Sequence, residues 1–239
     1  MKISIVMAFY NRQKLLDKTL ESIDKSLIKD YELIIVDDAS DEPLVCERAH
    51  IIRIEPKDKW YHNPCIPFNR GFRAAQGDVI VIQNPECYHV GDILAYVQNN
   101  IKRNLYLAFG CYAINGMETE LFHEGKMPNI GDYKFAMNST NKAEYNGWYN
   151  HSKHRPVAYH FCSAITREDM FSLGGFDERY AHGVAFDDNE FIRRIKKKMA
   201  VSIIHPPFVI HQYHHHFQYE DIKVWRPLHE KNQTLFNRG

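Results

Sequence analysis

The sequence has no excess of charge of either sign and no paired pattern of cysteines. Its 30 Lys and Arg residues balance 30 Asp and Glu residues, so the formal net charge is +0. Because such a chain carries no strong long-range field, we expect no nucleic-acid partner. The cysteines are odd in number and never stand in a CxxC spacing: Cys46, Cys65, Cys87, Cys111 and Cys162. This pattern argues against a disulfide framework or a cysteine zinc site, and it favours a reducing, cytoplasmic compartment.

The sequence also lacks a long hydrophobic run and a glycine-rich phosphate loop. The apolar stretch at 3–9 is too short for a signal peptide or a bilayer span. We therefore expect no integral membrane segment and a protein that is cytoplasmic or peripheral at a membrane. No Gly-rich fingerprint follows that stretch, which argues against a NAD-binding Rossmann domain and a P-loop. With 239 residues, 44% of them hydrophobic and 25% charged, the chain suits one globular domain.

Strand and helix patterns alternate along the first half of the chain. Short, mostly β-branched runs predict strands at 3–9, 33–36, 51–54, 79–82, 105–109 and 201–204. Apolar residues at helical spacing predict helices at 13–28, 67–76, 90–103 and 187–198. The alternation indicates an α/β fold with a mostly parallel, doubly wound (Rossmann-like) sheet flanked by helices. Ligands of such sheets bind at the carboxyl ends of the strands.

Polar side chains follow the predicted strands at the ends where a ligand would bind. They are Tyr10 and Arg12 after the first strand, Asp37 and Asp38 after the second, and Asn84 and Glu86 after the fourth. An Asp at a strand end can accept hydrogen bonds from a nucleobase or a ribose, and a nearby Glu can hold Mg²⁺ or Mn²⁺ against phosphate oxygens. The alternative is that Asp37, Asp38 and Ser40 form an Asx-type turn, which needs no ligand.

The second half contains a double glycine that is followed by clustered carboxylates. Gly174 and Gly175 would let backbone and ligand approach closely, and Asp187 and Asp188 open a predicted helix. Carboxylates placed in this way can take a proton from a polar substrate. The alternative is that they cap free N–H groups and complement the helix dipole.

A cluster of histidines follows the predicted strand at 201–204. It comprises His205, His211, His214, His215 and His216. Imidazole suits Mn²⁺ or Zn²⁺, and an HxxH or HxH spacing lets two rings reach one ion. We therefore expect metal ligation by His211 and His214, with His216 as the alternative ligand. A solvated histidine patch is the other interpretation.

The segment at 111–156 has weak periodicity and many Gly, Asn and aromatic residues. A long irregular stretch inside a compact domain favours a lid or an acceptor-binding loop. Trp148 and Tyr149 could stack on a sugar face and contact its polarised C–H groups. Alternatively, both side chains are core anchors that tie the loop down.

These motifs resemble those of a family 2 glycosyltransferase of the GT-A fold. The stretch 3–12 is similar to that family's first strand and loop, 32–40 to its IIVDDxS element, and 69–78 to the helix and turn before its metal-binding DxD motif. In the second half, 159–165, 174–178 and 187–191 are similar to the elements, GGFDE among them, of galactosyl- and N-acetylgalactosaminyltransferase-like members. The resemblance implies one GT-A domain over 1–239, with a nucleotide-sugar-binding half at 1–110 and an acceptor-binding, catalytic C-terminal lobe at 111–239.

The resemblance also implies roles for residues of this sequence. The implied nucleotide site consists of Ala8, Tyr10, Arg12, Asp37, Asp38, Asn69, Arg70 and Asn84. Asp188 would be the general base and Asp187 would hold acceptor hydroxyls, although the spacing leaves the two interchangeable. Gly174 and Gly175 join Trp148 and Tyr149 as candidates for the acceptor site. Asn84-Pro85-Glu86 stands where DxD is expected, so Glu86 would hold Mn²⁺ or Mg²⁺ together with a late histidine.

The implied reaction moves a sugar from a nucleotide-sugar donor, expected to be a UDP-sugar, to a hydroxyl of a glycan, lipid-linked or protein acceptor. One base and in-line attack predict inversion at the anomeric carbon, whereas a glycosyl-enzyme route would need a second carboxylate and stays open. Two other classes compete. One is a non-catalytic nucleotide-sugar or glycan-binding protein of the same fold, which the altered motif at 84–86 motivates. The other is a nucleotidyltransferase, which usually carries a Gly-rich basic loop that this sequence lacks.

Overall fold

The computed structural model describes residues 1–135, 146–214 and 222–239, which form nine strands and seven α helices around one sheet. The strands are β1 Ile3–Phe9, β2 Tyr31–Asp38, β3 His50–Ile54, β4 Val79–Gln83, β5 Cys87–Val90, β6 Leu105–Ala113, β7 Gly147–Asn150, β8 Cys162–Thr166 and β9 Ala200–His211. The helices are α1 Gln13–Ile23, α2 Cys65–Ala74, α3 Ile93–Asn100, α4 Gly116–His123, α5 Arg167–Leu173, α6 Asp187–Lys198 and α7 Ile222–Arg238.

The first half of the sheet is parallel and has the strand order β3-β2-β1-β4. β1, β2 and β4 each contain a buried, mostly apolar run, as expected for strands that are covered on both faces. In β1, for example, Ile5 and Met7 pack into the core on one face, and Val6 packs into the core on the other. This arrangement confirms the predicted α/β fold with a doubly wound sheet flanked by helices. The carboxyl ends of β1, β2 and β4 therefore lie along one edge.

The second half of the sheet is mixed. β8 lies antiparallel between β4 and β6, and β9 runs parallel to β6 and antiparallel to β5. The sequence pattern ends the last strand at 204, because His205, Pro206 and Pro207 interrupt its apolar run. The strand nevertheless continues to His211, and its pairing with β6 shifts register at the interruption. The pattern also misses β5, which is only four residues long.

Regular structure extends into the segment at 111–156, which the sequence predicts as irregular. β6 continues to Ala113, and α4 follows because Asn115 and Glu118 form a capping box at its start. β7 then pairs with β6. The described part of this segment thus contains one helix and two short stretches of strand.

Two of the predicted helices are shorter in the structure, and three helices, α4, α5 and α7, were not predicted. α1 ends at Ile23, and α3 begins at Ile93 because the Asp92 side chain caps it. The unpredicted α7 buries Asn232, which donates hydrogen bonds to the carbonyls of Tyr180 and Ala185 at 3.0 and 2.9 Å. Within the described ranges, no helix combines the length and apolar character that a bilayer span needs. The five cysteines are free thiols.

The double glycine after α5 allows a test of its structural role. Both residues have a left-handed backbone, but a Cβ at Gly174 would meet nothing within 4 Å, whereas one at Gly175 would lie 2.4 Å from Oδ1 of Asn69. Gly174→Ala should therefore lower the free energy of unfolding by about 1 kcal/mol from backbone strain alone. Gly175→Ala should lower it by about 2 to 4 kcal/mol, because overpacking is added to the strain. Urea unfolding of both variants measures the difference, and equal losses would show that Asn69 moves aside freely.

Candidate active site

The carboxyl edge of the parallel strands carries the predicted donor-site residues. Ala8 lies near the end of β1, Tyr10 and Arg12 follow that strand, and Asp38 ends β2. Glu86 lies in the turn between β4 and β5. These residues are separated in sequence by up to 78 positions, and the parallel pairing of β1 with β2 and β4 brings them to one edge.

The late histidines reach the same edge through the pairing of β5 with β9. In this antiparallel ladder Cys87 is opposite His211, so His211 lies next to Glu86. The Gln212 N–H then donates to the Glu86 carbonyl at 3.0 Å. Backbone pairing therefore sets the position of the histidines relative to the glutamate.

Glu86, His211 and His214 form a buried cluster of one carboxylate and two imidazoles. The Nε2 atoms of His211 and His214 lie 3.3 and 3.6 Å from Oε1 of Glu86. Arg12 closes the cluster with Nη1 3.0 Å from Oε2 of Glu86. In the part of the chain that the structure describes, this is the one group of three such side chains with metal-ligand spacing. His216, the alternative ligand, lies outside the described residues.

The charge of Glu86 is stabilised although the side chain is fully buried. Burial by itself raises the pKa of a carboxyl group, but the Arg12 guanidinium and contacts with His211 and His214 hold the pKa of Glu86 well below its usual range. Burial and the charge of Arg12 lower the pKa of His214, with Glu86 acting in the opposite direction. Asn84 donates its side-chain amide to Oε1 of Glu86 at 3.3 Å. A carboxylate beside a neutral imidazole is the protonation state that binds a divalent ion.

Asp37 forms the turn after β2. Its side chain is buried and accepts hydrogen bonds from the N–H groups of Ser40 and Leu44 at 3.0 and 3.1 Å. Arg53 pairs with the same carboxylate from β3. Burial alone would raise the pKa of Asp37, but these donors outweigh it and lower the pKa. Both oxygens are engaged within the protein, as the Asx-turn alternative predicts, which favours Asp38 as the nucleotide ligand.

Asp38 lies at the rim of the edge, with its side chain 13% exposed. Lys59 donates to Oδ2 at 3.0 Å, and the Tyr61 hydroxyl donates to Oδ1. The Lys59 ammonium also lies 4.4 Å from the centroid of the Tyr10 ring. Burial raises the pKa of Asp38, and Lys59 partly offsets this effect. An aromatic ring, a cation and a carboxylate thus meet at one place and can bind the polar edge and flat face of a nucleoside.

Asn69 and Arg70 are neighbours on α2 but have different environments. Asn69 is buried and donates to the Phe176 carbonyl at 2.9 Å, while its Oδ1 accepts from the Phe176 N–H at 2.8 Å. It also donates to Glu178 at 3.0 Å, so it holds the loop that follows the double glycine. Arg70 is partly exposed, and no hydrogen bond or ion pair joins its guanidinium to the residues described.

The second pair of carboxylates opens α6 at the end of a strained loop. Ala185 and Phe186 have φ angles of 59° and 66°, which residues with side chains rarely adopt. Asn63, which precedes α2, donates from Nδ2 to Oδ1 of Asp187 at 2.9 Å and so holds the start of α6. Strained backbone of this kind persists only where the surroundings enforce it, and here it sets the positions of Asp187 and Asp188.

Asp187 and Asp188 differ in exposure and in their contacts. Asp187 is buried, and burial together with the negative charge of Asp188 raises the pKa of Asp187 to about 6. The side chain of Asp188 is 29% exposed, and its Oδ1 lies 2.5 Å from Nδ1 of His160. Two carboxylates in unlike environments can take different roles, and the exposed one can meet an incoming substrate.

The start of β8 connects this pair to the glutamate–histidine cluster. The Asn84 N–H donates to the Phe161 carbonyl at 3.0 Å, and the Phe161 ring lies 5.9 Å from the His211 ring. His160, the preceding residue, contacts Asp188. The metal-type cluster and the two carboxylates are therefore linked through Phe161 and His160.

The candidates for the acceptor site lie in unlike environments. Trp148 is 2% exposed and donates from Nε1 to a backbone carbonyl at 2.9 Å, so it packs as the core-anchor alternative predicts and has no free face for a sugar. Tyr149 is partly buried and stacks on Phe161 with ring centroids 5.3 Å apart. Gly174 and Gly175 shape the turn that ends α5.

Three polar residues of this site have no periodic signal in the sequence. Lys59 and Asn63 lie in an irregular segment before α2, and each contacts a carboxylate distant in sequence. His160 falls within the stretch 159–165 that carries the family resemblance, so a search of that stretch for polar residues could have found it. Pairings of this kind depend on tertiary contacts, which local patterns do not contain.

The chain is similar in sequence or in fold to several known proteins. The sequence profile of the family described as "Glycosyl transferase family 2" matches residues 4–171. The dolichol-phosphate mannosyltransferase of Pyrococcus furiosus is 28% identical over 130 residues, an alignment that covers 50% of this chain and 36% of that protein. Staphylococcus aureus TarS in complex with UDP-GlcNAc has a TM-score of 0.60 at 13% identity, over 93% of this chain and 62% of that one. GalNAc-T7 with UDP, GalNAc and Mn²⁺ has a TM-score of 0.61 at 17% identity, over 89% and 44%.

These likenesses differ in what they show. The chain spans less than two thirds of the length of each of these relatives. The structural likenesses, at low identity, show the GT-A fold. The profile match extends from β1 into α5 and so includes Asp38, Glu86 and His160. Because the match covers most of the chain, the protein belongs to glycosyl transferase family 2.

Proposed function

We propose that the protein is an inverting glycosyltransferase that moves a sugar from a UDP-sugar donor to an acceptor hydroxyl. The observation that carries this proposal is one continuous site that joins Glu86, His211 and His214 to Asp187 and Asp188. Sugar transfer from a nucleoside diphosphate needs charge stabilisation at the leaving phosphate and a base for the acceptor. Family membership and the UDP complexes of the structural relatives support the same reaction.

The donor's nucleoside is assigned to the rim formed by Tyr10, Asp38 and Lys59. A partly exposed tyrosine ring can stack on a base, and the Asp38 carboxylate can accept from a base N–H or a ribose hydroxyl. Arg70, whose guanidinium pairs with no described residue, is available to the donor. In this scheme residues 1–110 hold most of the donor, and 111–239 carry the base and the acceptor. The acceptor is a hydroxyl of a glycan, a lipid-linked sugar or a protein.

A divalent ion fits the glutamate–histidine cluster. Its ligand atoms are one carboxylate oxygen and two imidazole nitrogens, all within 4.8 Å of one another. This mixed donor set suits Mn²⁺ better than Mg²⁺, which prefers oxygen ligands. His211 and His214 would thereby replace the acid that the family motif has at the position of Asn84. When bound, the ion would supply positive charge for the leaving diphosphate.

Arg12 links the donor to the metal site. Its guanidinium pairs with Oε2 of Glu86 at 3.0 Å, so it competes with an ion for that carboxylate. Diphosphate oxygens are favourable partners for a guanidinium. A bound donor would draw Arg12 toward its phosphates and would add phosphate ligands to the ion. Metal and UDP should therefore bind cooperatively.

Asp188 is assigned as the general base. It is the more exposed of the two carboxylates, and only its Oδ1 contacts described residues. Asp187, held by Asn63, shapes the acceptor side and is the alternative base. The acceptor oxygen attacks the anomeric carbon as its proton passes to the base, and the UDP oxygen leaves from the opposite face. A single displacement of this kind inverts the anomeric configuration.

A second candidate function is nucleotide-sugar binding without turnover. The observation that favours it is the Arg12–Glu86 ion pair beside Asn84, since an internal cation already neutralises the glutamate. The two functions differ in product formation. Incubation with a panel of UDP-sugars, acceptor sugars and Mn²⁺ should yield UDP and a glycosylated product; tight donor binding with no turnover across the panel would favour the binding protein.

The nucleotide assignment predicts unequal effects at two adjacent acids. Asp38→Ala should raise the Kd for UDP, measured by calorimetry, by about tenfold, because one hydrogen bond to a polar group is lost. Asp37→Asn is the matched control: it should lower the free energy of unfolding by about 1 to 3 kcal/mol, because it weakens the buried contact with Arg53, and leave UDP affinity unchanged. Weaker UDP binding in the Asp37 variant alone would make Asp37 the nucleotide ligand and Asp38 the structural residue.

The metal assignment predicts binding that depends on UDP. Mn²⁺ titrated into the wild type should bind tightly only with UDP present, and the double variant His211→Ala, His214→Ala should bind it at least about tenfold more weakly. Arg12→Gln should tighten Mn²⁺ binding without UDP, because Glu86 loses its competing partner.

His50→Ala is the control for loss of a histidine, since His50 is exposed on β3. It should bind Mn²⁺ and UDP as the wild type does. Wild-type metal affinity in the double variant would disprove the histidine ligands and leave the cluster as a structural ion-pair group.

The base assignment predicts that Asp188→Asn lowers kcat by about a hundredfold or more, the usual scale for loss of a general base, while the Kd for UDP stays unchanged. Single-turnover assays measure the rate. Loss of activity in Asp187→Asn alone would transfer the role to Asp187, and full activity in both variants would refute both.

Asp187→Asn has a further signature in stability. The pKa of Asp187 is raised to about 6 in the fold. The ordinary pKa of an Asp is about 3.9. Because the pKa is higher in the folded protein, ionisation of Asp187 destabilises the fold progressively as the pH rises from about 3.9 to about 6. The variant should be more stable than wild type by about 1 to 3 kcal/mol at pH about 7.5 and similar at pH about 4, by urea unfolding.

A further inference from the structure

His160 is a buried histidine in direct contact with the carboxylate assigned as base. It is 6% exposed, and its Nδ1 lies 2.5 Å from Oδ1 of Asp188. Its backbone N–H lies 3.5 Å from the same oxygen. Oδ2 of Asp188 has no hydrogen-bond or ion-pair partner within 1–135, 146–214 and 222–239. Among the described residues, one oxygen of the carboxylate thus lies against His160, and the other has no polar partner.

Two phenylalanines determine the orientation of the His160 ring. Phe68 on α2 meets it edge-on with centroids 5.1 Å apart, and Phe176 meets it at 4.8 Å. Phe176 is itself held by hydrogen bonds between its backbone and the Asn69 side chain. The ring is therefore fixed by packing from two elements outside α6. An imidazole enclosed by apolar rings needs a polar partner, and Asp188 is placed to be that partner.

We infer that His160 is a positioning residue for the general base. It holds Oδ1 of Asp188 and so leaves Oδ2 directed to the side from which an acceptor hydroxyl approaches. This inference rests on the proposed role of Asp188. As the acceptor oxygen bonds to the anomeric carbon, the acceptor proton moves to Oδ2, and the bond from that carbon to the UDP oxygen breaks with its electron pair on UDP. His160 keeps its own proton throughout.

His160 also balances the charge of two adjacent carboxylates. Burial lowers the pKa of a histidine, but the charge of Asp188 overcomes this effect and raises the pKa of His160. An imidazolium in turn lowers the pKa of Asp187. The other titratable groups that face these residues are Glu86 after β4, Tyr106 on β6, Tyr159 beside His160 and Cys65 on α2. Among the groups named, His160 is the one that can carry positive charge.

Two substitutions separate orientation from charge. His160→Phe fills the aromatic cage but removes the polar contact, so kcat should fall about tenfold or more while the Kd for UDP stays unchanged. The acid limb of its pH profile should move up by about one unit, because loss of a nearby cation raises a carboxylate pKa. His160→Asn keeps an amide donor near the position of Nδ1. It should recover part of kcat but keep the shifted acid limb.

Phe68→Leu is the matched control. It loosens the same cage without removing a polar group, so it should lower the unfolding midpoint and leave the acid limb in place. An acid limb that shifts equally in Phe68→Leu and His160→Phe would overturn the inference, because the effect would then come from packing.

A measurement without turnover tests the contact itself. Nitrogen-15 NMR of the His160 imidazole should give a pKa that is lower in Asp188→Asn than in the wild type, because the partner carboxylate is gone. An equal pKa in both proteins would overturn the inference. A failure of the proposed function would give a different result. Full turnover in Asp188→Asn would refute the role of Asp188 as the base. An inactive Asp188→Asn together with a normal kcat and pH profile in His160→Phe would refute only the role of His160.

Discussion

The rest of the site depends on the burial of one carboxylate, that of Glu86. Removal of a carboxylate from water costs several kcal/mol unless charged and hydrogen-bonding partners replace the solvent. Here the partners come from both halves of the chain: Arg12 follows β1, His211 ends β9, and His214 follows that strand. The Gln212 side chain adds hydrogen bonds to the Glu86 and Leu15 carbonyls at 3.0 and 3.1 Å. The charged groups of this cluster therefore lie together where β4 leads into β5, beside the end of β9.

The turn between β4 and β5 is also where this chain differs from the motif that it resembles. Where the family pattern has two acids, this chain has an amide at Asn84 and one glutamate. The amide donates to the glutamate, and imidazoles at and after the end of β9 would complete the proposed set of ligand atoms. A change in one ligand at a strand end is thus compensated from a distant element. Such compensation requires the pairing of β5 with β9, which places His211 next to the turn that holds Glu86.

The base side is built on a different physical basis. The proposed base lies in the first turn of α6, directly after a loop whose left-handed residues, Ala185 and Phe186, oppose folding. The neighbouring Asp187 is buried and has a raised pKa. Asn63 from before α2 and Asn232 from α7 hold this loop in place. The strained loop and the buried carboxylate thus destabilise the fold, and the surrounding contacts stabilise it. This combination is common where a protein keeps reactive groups in a fixed geometry. His160, enclosed by Phe68 and Phe176, belongs to this supporting layer.

Local patterns in the sequence determined the parallel half of the fold and pointed to several residues of the candidate site. Buried strands such as β1 and β4 are apolar except for one polar residue each, and the acids at the end of β2 and after β4 are visible without any structure. The same patterns suggested Glu86 with His211 and His214, but left Asp37 and Asp38 equivalent. Tertiary structure alone decided that Asp37 is closed off by Arg53, that Trp148 is a core anchor, and that His160 contacts Asp188. The physical reason is that burial and charge compensation depend on partners far apart in sequence, whereas periodicity reports only the face on which a residue lies.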